Sequence, residues 1–203
     1  MDMPIKCRCG QVSGALEDVS PAVVNRLVCY CHDCQAFAHF LDQEDTVLDE
    51  HGGTEIVQMA PSRLRIDHGM DKIACMRLSE KGIYRWYASC CNTPLGNTGD
   101  FGMPFVGVIH SFLAEDGDIQ KNAAFGKIRG AVHGRFARRD YDPGSMPLSL
   151  IARFLGVILK GKFSGEQQRA IFFDASTRSP RVAPTVLDAE ENEALMARVT
   201  AAA

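Results

Sequence analysis

The sequence predicts a mainly β fold, with small, coiled antiparallel sheets gathered around clustered thiols and a C-terminal helical extension. Three observations predict it. Short β-like runs fill the first half, all eight cysteines lie between Cys7 and Cys91, and a long amphipathic helix pattern arises only near residues 146–160.

The runs QVSGALEDV (11–19), NRLVCY (25–30), TEIVQM (54–59), KIACMRL (72–78) and GIYRWYA (82–88) are separated by SPA, HGG and EKG. β-Branched and aromatic residues between such breakers read as strands. DCQAFAHFLDQ (33–43) reads as a short helix, and PFVGVIHSFL (104–113) as one further strand. Strands that do not alternate with long helices pair antiparallel. The helix at about 146–160 places Leu148, Ile151, Phe154, Leu155 and Ile158 at helical spacing and is expected to pack on the sheets. In VLDAEENEALMARV, Asp188 and Glu191 have capping-box spacing, which predicts a terminal helix. The division that follows is a thiol-bearing β domain over 1–112 and a partly helical extension over 113–203, packed on the first.

A net charge of −3, with 46% hydrophobic and 23% charged residues, argues against a disordered chain and against a whole-protein polyanion binder. The longest apolar run, 147–159, contains Arg153 and falls short of the roughly 20 residues a bilayer span needs. The N-terminus MDMPIKCRCG has no apolar signal core. A cytoplasmic location with no membrane partner is therefore expected, and in a reducing compartment clustered thiols bind metal or perform chemistry more often than they form disulfides.

The thiols form three groups: Cys7 and Cys9 in KCRCGQV, Cys29, Cys31 and Cys34 in VCYCHDCQ, and Cys90 with Cys91 in YASCCNTPLGN. Closed structural zinc sites have four ligands, often two pairs distant in sequence; open sites have three and leave a position for water or substrate. The middle group has the form of an open site. The competing readings are buried filler, which three thiols in six residues disfavour, and redox chemistry at the C-x-x-C of Cys31 and Cys34, which lacks the expected βαβ context.

These groups, in this order, resemble the glutathione-dependent formaldehyde-activating enzyme family, which includes the domain of centromere protein V. Its pattern runs C-x-C-G, C-x-C-x-x-C, then C-x-x-C-G-[ST]-P-L after an aromatic; here the elements are Cys7-Arg8-Cys9-Gly10, Cys29 to Cys34, and YASCCNTPLGN, over roughly residues 5–110. The resemblance implies one or two zinc ions per chain. Cys29, Cys31 and Cys34 would hold a reactive zinc that accepts a thiol such as glutathione, and are the catalytic candidates. The outer elements would hold a structural zinc through Cys7, Cys9 and Cys91, with Cys90 as the fourth ligand. The departure is Ala88, which stands where the family's third element has its first cysteine. A distorted site, a borrowed ligand such as Cys75, or no structural zinc all follow as alternatives.

The activity implied is that of a carbon–sulfur lyase acting on a thiol–aldehyde adduct such as S-hydroxymethylglutathione. The rival classes are a non-catalytic thiol-binding protein and a structural zinc protein engaged in macromolecular contacts. Cys75, among apolar neighbours, reads as a core thiol. His32 and Asp33 read equally as groups supporting the cluster or as solvated turn residues, His39 as a helix-face histidine, and His51 and His68 as loop residues. Arg85 and Trp86 read as a strand pair whose aromatic packs over a metal loop. The basic stretch 127–139, with Lys127, Arg129, Arg135, Arg138 and Arg139, reads as a solvated face, and a nucleic-acid partner is not expected.

Overall fold

Strand β1 (Met3–Lys6) buries Met3 and Ile5 and exposes Pro4 and Lys6, the period-two pattern of a sheet with one covered face. It pairs antiparallel with β2 (Ser13–Leu16), and β2 with β5 (Leu64–His68), giving a three-stranded sheet. The computed structural model describes residues 1–114, 117–139 and 141–202.

The second sheet has eight strands: β3 (Asn25–Cys29), β4 (Thr54–Met59), β6 (Ile73–Arg77), β7 (Tyr84–Ala88), β8 (Thr93–Thr98), β9 (Val106–Ile109), β10 (Ala131–Val132) and β11 (Thr185–Val186). Their order is β10-β3-β4-β9-β8-β7-β6-β11. The six inner strands are antiparallel; β10 joins β3 and β11 joins β6 in parallel. Each edge of the eight-stranded sheet is thus a two-residue strand from the C-terminal half, and very short edge strands limit unpaired edge groups. The chain is mainly β, with eleven strands in two sheets among the described residues.

Strands β1, β5, β8, β10 and β11 are absent from the sequence expectation. TPLGNT carries Pro94, Gly96 and Asn97, which read as turn residues; Pro94 is accommodated where the β7–β8 register shifts between Trp86 and Tyr87, so the ladder there does not need its missing N–H.

The larger core lies between the two sheets and is centred on Trp86, which is fully buried. Its Nε1–H donates to Thr98 Oγ1 at 2.9 Å, and its ring stacks on Phe172 with centroids 4.3 Å apart. Phe172 and Phe173 come from the C-terminal half, so this core draws on residues from both halves of the chain. A second core forms where helix α1 (His32–Phe40), through Phe37 and Leu41, meets Leu187, Leu195 and Val199 around helix α5 (Ala189–Ala201). Helix α5 starts at the capping box: Asp188 Oδ1 accepts from the Glu191 N–H and Glu191 Oε2 from the Asp188 N–H, both at 2.9 Å. Buried Arg26 on β3 ties helix α3 (Asp118–Phe125) to the sheet, donating to Glu55 at 2.7 Å and to Asn122 Oδ1 at 2.8 Å. Helix α2 (Glu44–Val47) is a single turn after α1.

Helix α4 (Leu148–Ser164) departs from expectation in its orientation. It buries Leu150, Ile158 and Gly161, whereas Leu148 and Leu155 are 81% and 51% exposed. Gly161 sets this rotation, because a side chain there would meet Pro104 at 2.7 Å and the helix approaches the sheet along that glycine. No described helix is long and apolar enough to cross a membrane.

Candidate metal centre

Two separate groups of sulfurs converge. Cys7, Cys9, Cys90 and Cys91 form one, and Cys29, Cys31 and Cys34 the other; within each, all sulfurs lie within 4.8 Å of one another. The cysteines are free thiols.

The four-thiol cluster begins at the end of β1. Gly10, at φ +79°, lets the chain reverse after Cys9, so that Gly10 N–H donates to Cys7 O at 2.8 Å and Val12 N–H to Cys7 Sγ at 3.2 Å. A side chain disfavours that left-handed conformation. From the other side, the β7–β8 turn delivers both vicinal thiols. Asn92 takes φ +56°, and Cys90 and Cys91 bring their sulfurs to 3.9 Å from each other. Cys90 Sγ is 3.3 Å from Cys9 Sγ and 3.9 Å from Cys7 Sγ, and Cys7 Sγ is 3.6 Å from Cys9 Sγ. A tetrahedral ion with sulfur ligands at about 2.3 Å requires sulfur separations of about 3.8 Å, so these four thiols fit a metal ion with little movement.

Ala88 is buried within the β7 ladder opposite Ile73 and Thr93. The fourth sulfur of the cluster comes from Cys90 in the turn. Cys75 belongs to neither cluster; its sulfur lies 3.8 Å from Met76 O in the core, and burial pushes its thiol up to about 12.

Thr93 organises this cluster. Its hydroxyl accepts from the Arg8 N–H at 3.0 Å, leaving its own proton to point at Cys91 Sγ, 3.1 Å away. Burial opposes ionisation of Cys91, but the hydrogen bond from Thr93 and those from backbone groups of Cys9 and Thr93 outweigh it and hold the thiol at about 6. Burial raises Cys7 and Cys90 above the usual thiol value.

The three-thiol cluster straddles the end of β3 and the start of α1. Cys31 is the N-cap residue of α1, and its sulfur accepts from the Cys34 N–H at 3.4 Å. Sulfur at this position gains from the unpaired N–H groups and positive end of the helix. Cys29 Sγ and Cys31 Sγ are 3.4 Å apart. Hydrogen bonds from Cys29 and Cys31 hold Cys34 well below the usual thiol value against its burial, with Arg85 adding to the effect. The same bonds raise Cys29 strongly. Three thiolates packed this closely repel one another, so a full set of them calls for a cation in their midst.

Arg85 is 2% exposed and reaches this cluster from β7 across the face on which α1 packs. Its other polar partners are distant: Asn97 Oδ1 and Asp33 Oδ2, each at 3.5 Å. Trp86, its neighbour in sequence, points to the opposite face and into the larger core, which also contains Cys7 and has Cys90 and Cys91 packed against it. A buried charge in a central strand was a legible signal that the sequence reading passed over.

The C-terminal half walls the three-thiol cluster. Strand β10 pairs Val132 with Cys29, Leu150 of α4 packs with Cys29 and Cys34, and the His32 ring packs tilted against Phe136 with centroids 4.3 Å apart. Cys29 and Cys34 are buried and Cys31 is half-buried, so access is from the Cys31 side. The basic stretch folds into this wall. Arg138 donates to Gln35 Oε1 at 3.0 Å, Arg129 to Pro21 O at 2.7 Å, and Arg135 lies over the Phe136 ring. His39 is buried against Glu44 at 3.2 Å and makes no contact with sulfur; Asp33 pairs with Arg85, His51 stacks on Tyr141, and His68 ends β5.

Fold and site together define a mainly β protein carrying two thiol clusters, one of four and one of three, each of a size to hold a metal ion. The chain belongs to the family described as "Family of unknown function (DUF6151)", whose model matches residues 1–182 and so spans both the clusters and the wall around the second. No curated protein matches the sequence.

Proposed function

We propose that this protein is a zinc-dependent carbon–sulfur lyase of the formaldehyde-activating type, with a closed structural zinc at Cys7, Cys9, Cys90 and Cys91 and a reactive zinc at Cys29, Cys31 and Cys34. The observation that carries the reading is the contrast between the clusters: one offers four sulfurs at tetrahedral spacing, the other three, with a buried guanidinium beside them.

Cys29, Cys31 and Cys34 would hold the zinc through three sulfurs, and the ion would supply an open position that favours the thiolate form of an incoming thiol. Three thiolates on a divalent ion carry one net negative charge, and a fourth sulfur raises that to two. Arg85 offsets this charge from within the protein, and the N–H groups at the start of α1 add to it. Phe136, Val132 and Leu150 keep water from the Cys29 and Cys34 side, leaving the Cys31 edge for the thiol. His32 is exposed at that edge, where the thiol proton leaves. The net reaction forms a bond between sulfur and the aldehyde carbon while the carbonyl oxygen takes up a proton, giving a hemithioacetal; the reverse breaks that bond.

Metal content and turnover test this together. Wild type is expected to carry two zinc ions and to equilibrate glutathione with formaldehyde, while Cys31→Ala carries one ion, keeps its fold and loses turnover. Unchanged turnover in Cys31→Ala, or wild-type protein without zinc, overturns the proposal. Glutathione binding by wild type without any aldehyde turnover assigns the site to thiol capture instead.

A further inference from the structure

Helix α4 carries an apolar line on its outer face that is left exposed among the described residues. Leu148, Ala152, Leu155, Leu159 and Phe163 follow one another at spacings of three and four residues, which places them on one side of the helix. Leu148, Leu155, Leu159 and Phe163 are 81%, 51%, 57% and 91% exposed. Single exposed leucines are ordinary on protein surfaces; a contiguous line of them is the mark of a contact surface.

The line is extended at both ends. Gly130 abuts Pro147 just before the helix, and the adjoining Ile128 and Met146 are exposed. At the far end Pro104 packs on Gly161, beside exposed Met103. The opposite side is fixed to the body: Phe154 lies against Phe105, and Arg153 donates to the carbonyls of Pro21, Ala22 and Val24. The exposed line is therefore held in place by the fold.

Charge identifies what the line meets. Residues 143–165 contain Arg153, Lys160 and Lys162 and no acidic residue, in a chain whose net charge is −3. Lys160 and Lys162 are exposed on the last turns, and Lys127 is exposed beside Ile128. A second copy of the chain would bring the same acid-free, cationic surface and leave those charges unpaired. An anionic bilayer offers both partners, headgroup phosphates and carboxylates for the lysines and acyl chains for the leucines and Phe163.

We infer that α4 is a peripheral membrane contact, lying in the headgroup region of an anionic lipid surface with Leu155, Leu159 and Phe163 inserted and Lys160 and Lys162 at the phosphates. This revises the expectation of no membrane partner, which rested on the absence of a spanning segment; a helix lying in the interface needs no span.

Vesicle flotation of the full-length protein tests the inference. It is expected to float with phosphatidylcholine vesicles containing phosphatidylserine, to stay behind with phosphatidylcholine alone, and to be released by added salt. Leu155→Ser/Leu159→Ser and Lys160→Glu/Lys162→Glu should each weaken the association about tenfold or more, with thermal unfolding and metal content unchanged because all four side chains are exposed. Absence of flotation, equal flotation with both vesicle types, or full binding by either variant overturns the inference. A wild-type dimer in solution that Leu155→Ser/Leu159→Ser converts to monomer also overturns it, by giving the face to a second copy.

Discussion

The guanidinium of Arg85 faces the thiol of Cys34 in the protein interior, brought there by two elements that are distant in sequence, β7 and the first turn of α1. Arg85 is 2% exposed and its one carboxylate partner, the half-exposed Asp33, lies 3.5 Å away, so thiolate sulfurs would add counter-charge on the buried side. Burying a cation without such a partner costs several kcal/mol. The arrangement therefore has its energetic sense when the cluster is anionic.

Removing that cation should weaken the second metal site selectively. Arg85→Met is expected to lower zinc affinity at Cys29, Cys31 and Cys34 by about 10- to 100-fold, the usual cost of losing a group that supports metal ligands. Zinc at the four-thiol cluster should be unaffected, and Arg85→Lys should restore part of the loss. Competition titration with a chromophoric chelator resolves the two sites; equal weakening of both would contradict this assignment.

Chelation should release the two ions in order. On the proposed reading the three-thiol site would leave an open position through which a chelator can attack, whereas the four-thiol site would close all four. The first ion is expected to leave with loss of activity and little change in unfolding temperature. The second should leave with a drop in thermal stability, because Cys7, Cys9, Cys90 and Cys91 join the end of β1 to the β7–β8 turn. Paired metal-release and calorimetric traces check the order.

Phe172→Ala should destabilise the whole protein by about 3–5 kcal/mol, the range for deleting a buried aromatic ring. Phe172 stacks on Trp86 at 4.3 Å, so the C-terminal half is part of the first half's core. Chemical denaturation should show one cooperative transition at a lower midpoint. Two separate transitions would mean that the halves fold independently.

Acid should weaken the Arg26–Glu55 link in a defined direction. Burial alone raises the Glu55 carboxyl, but the hydrogen bond and charge of Arg26, with Lys121, outweigh it and leave the carboxyl below its usual value. A carboxyl depressed in the folded state contributes stability above the unfolded value of 4.5, and that contribution is lost as pH falls through the folded value. Glu55→Gln should therefore be less stable than wild type near neutrality, with the gap narrowing below about pH 4.5. Unfolding temperatures of the two proteins between neutral and acid pH measure it, and a gap that widens in acid would reverse the sign argued here.

Much of the thiol arrangement was legible because metal ligands arrive in short runs: C-x-C and C-x-C-x-x-C place sulfurs within one turn of backbone, whatever the rest of the chain does. The fourth member of the closed cluster was harder. Ala88 broke the expected spacing, and only the turn at Asn92 shows how two adjacent thiols serve one point. Thr93 was visible in the motif but had no stated role until its hydroxyl was seen between Arg8 and Cys91. Strand β8 was hidden by Pro94 and Gly96, residues whose turn preference is overridden by burial at the sheet centre. The rotation of α4 was misjudged because the helix is apolar on nearly every side, and periodicity cannot choose between two apolar faces.

The parallel pairing of β10 with β3 has a consequence for how the protein is made. Val28 and Cys29 emerge from the ribosome about a hundred residues before Ala131 and Val132, the residues that close over them. At common rates of synthesis that gap lasts about 5–20 seconds. Through that interval the three sulfurs stand open to metal ions and to oxidants alike, so metal capture by the nascent chain would compete directly with oxidative damage.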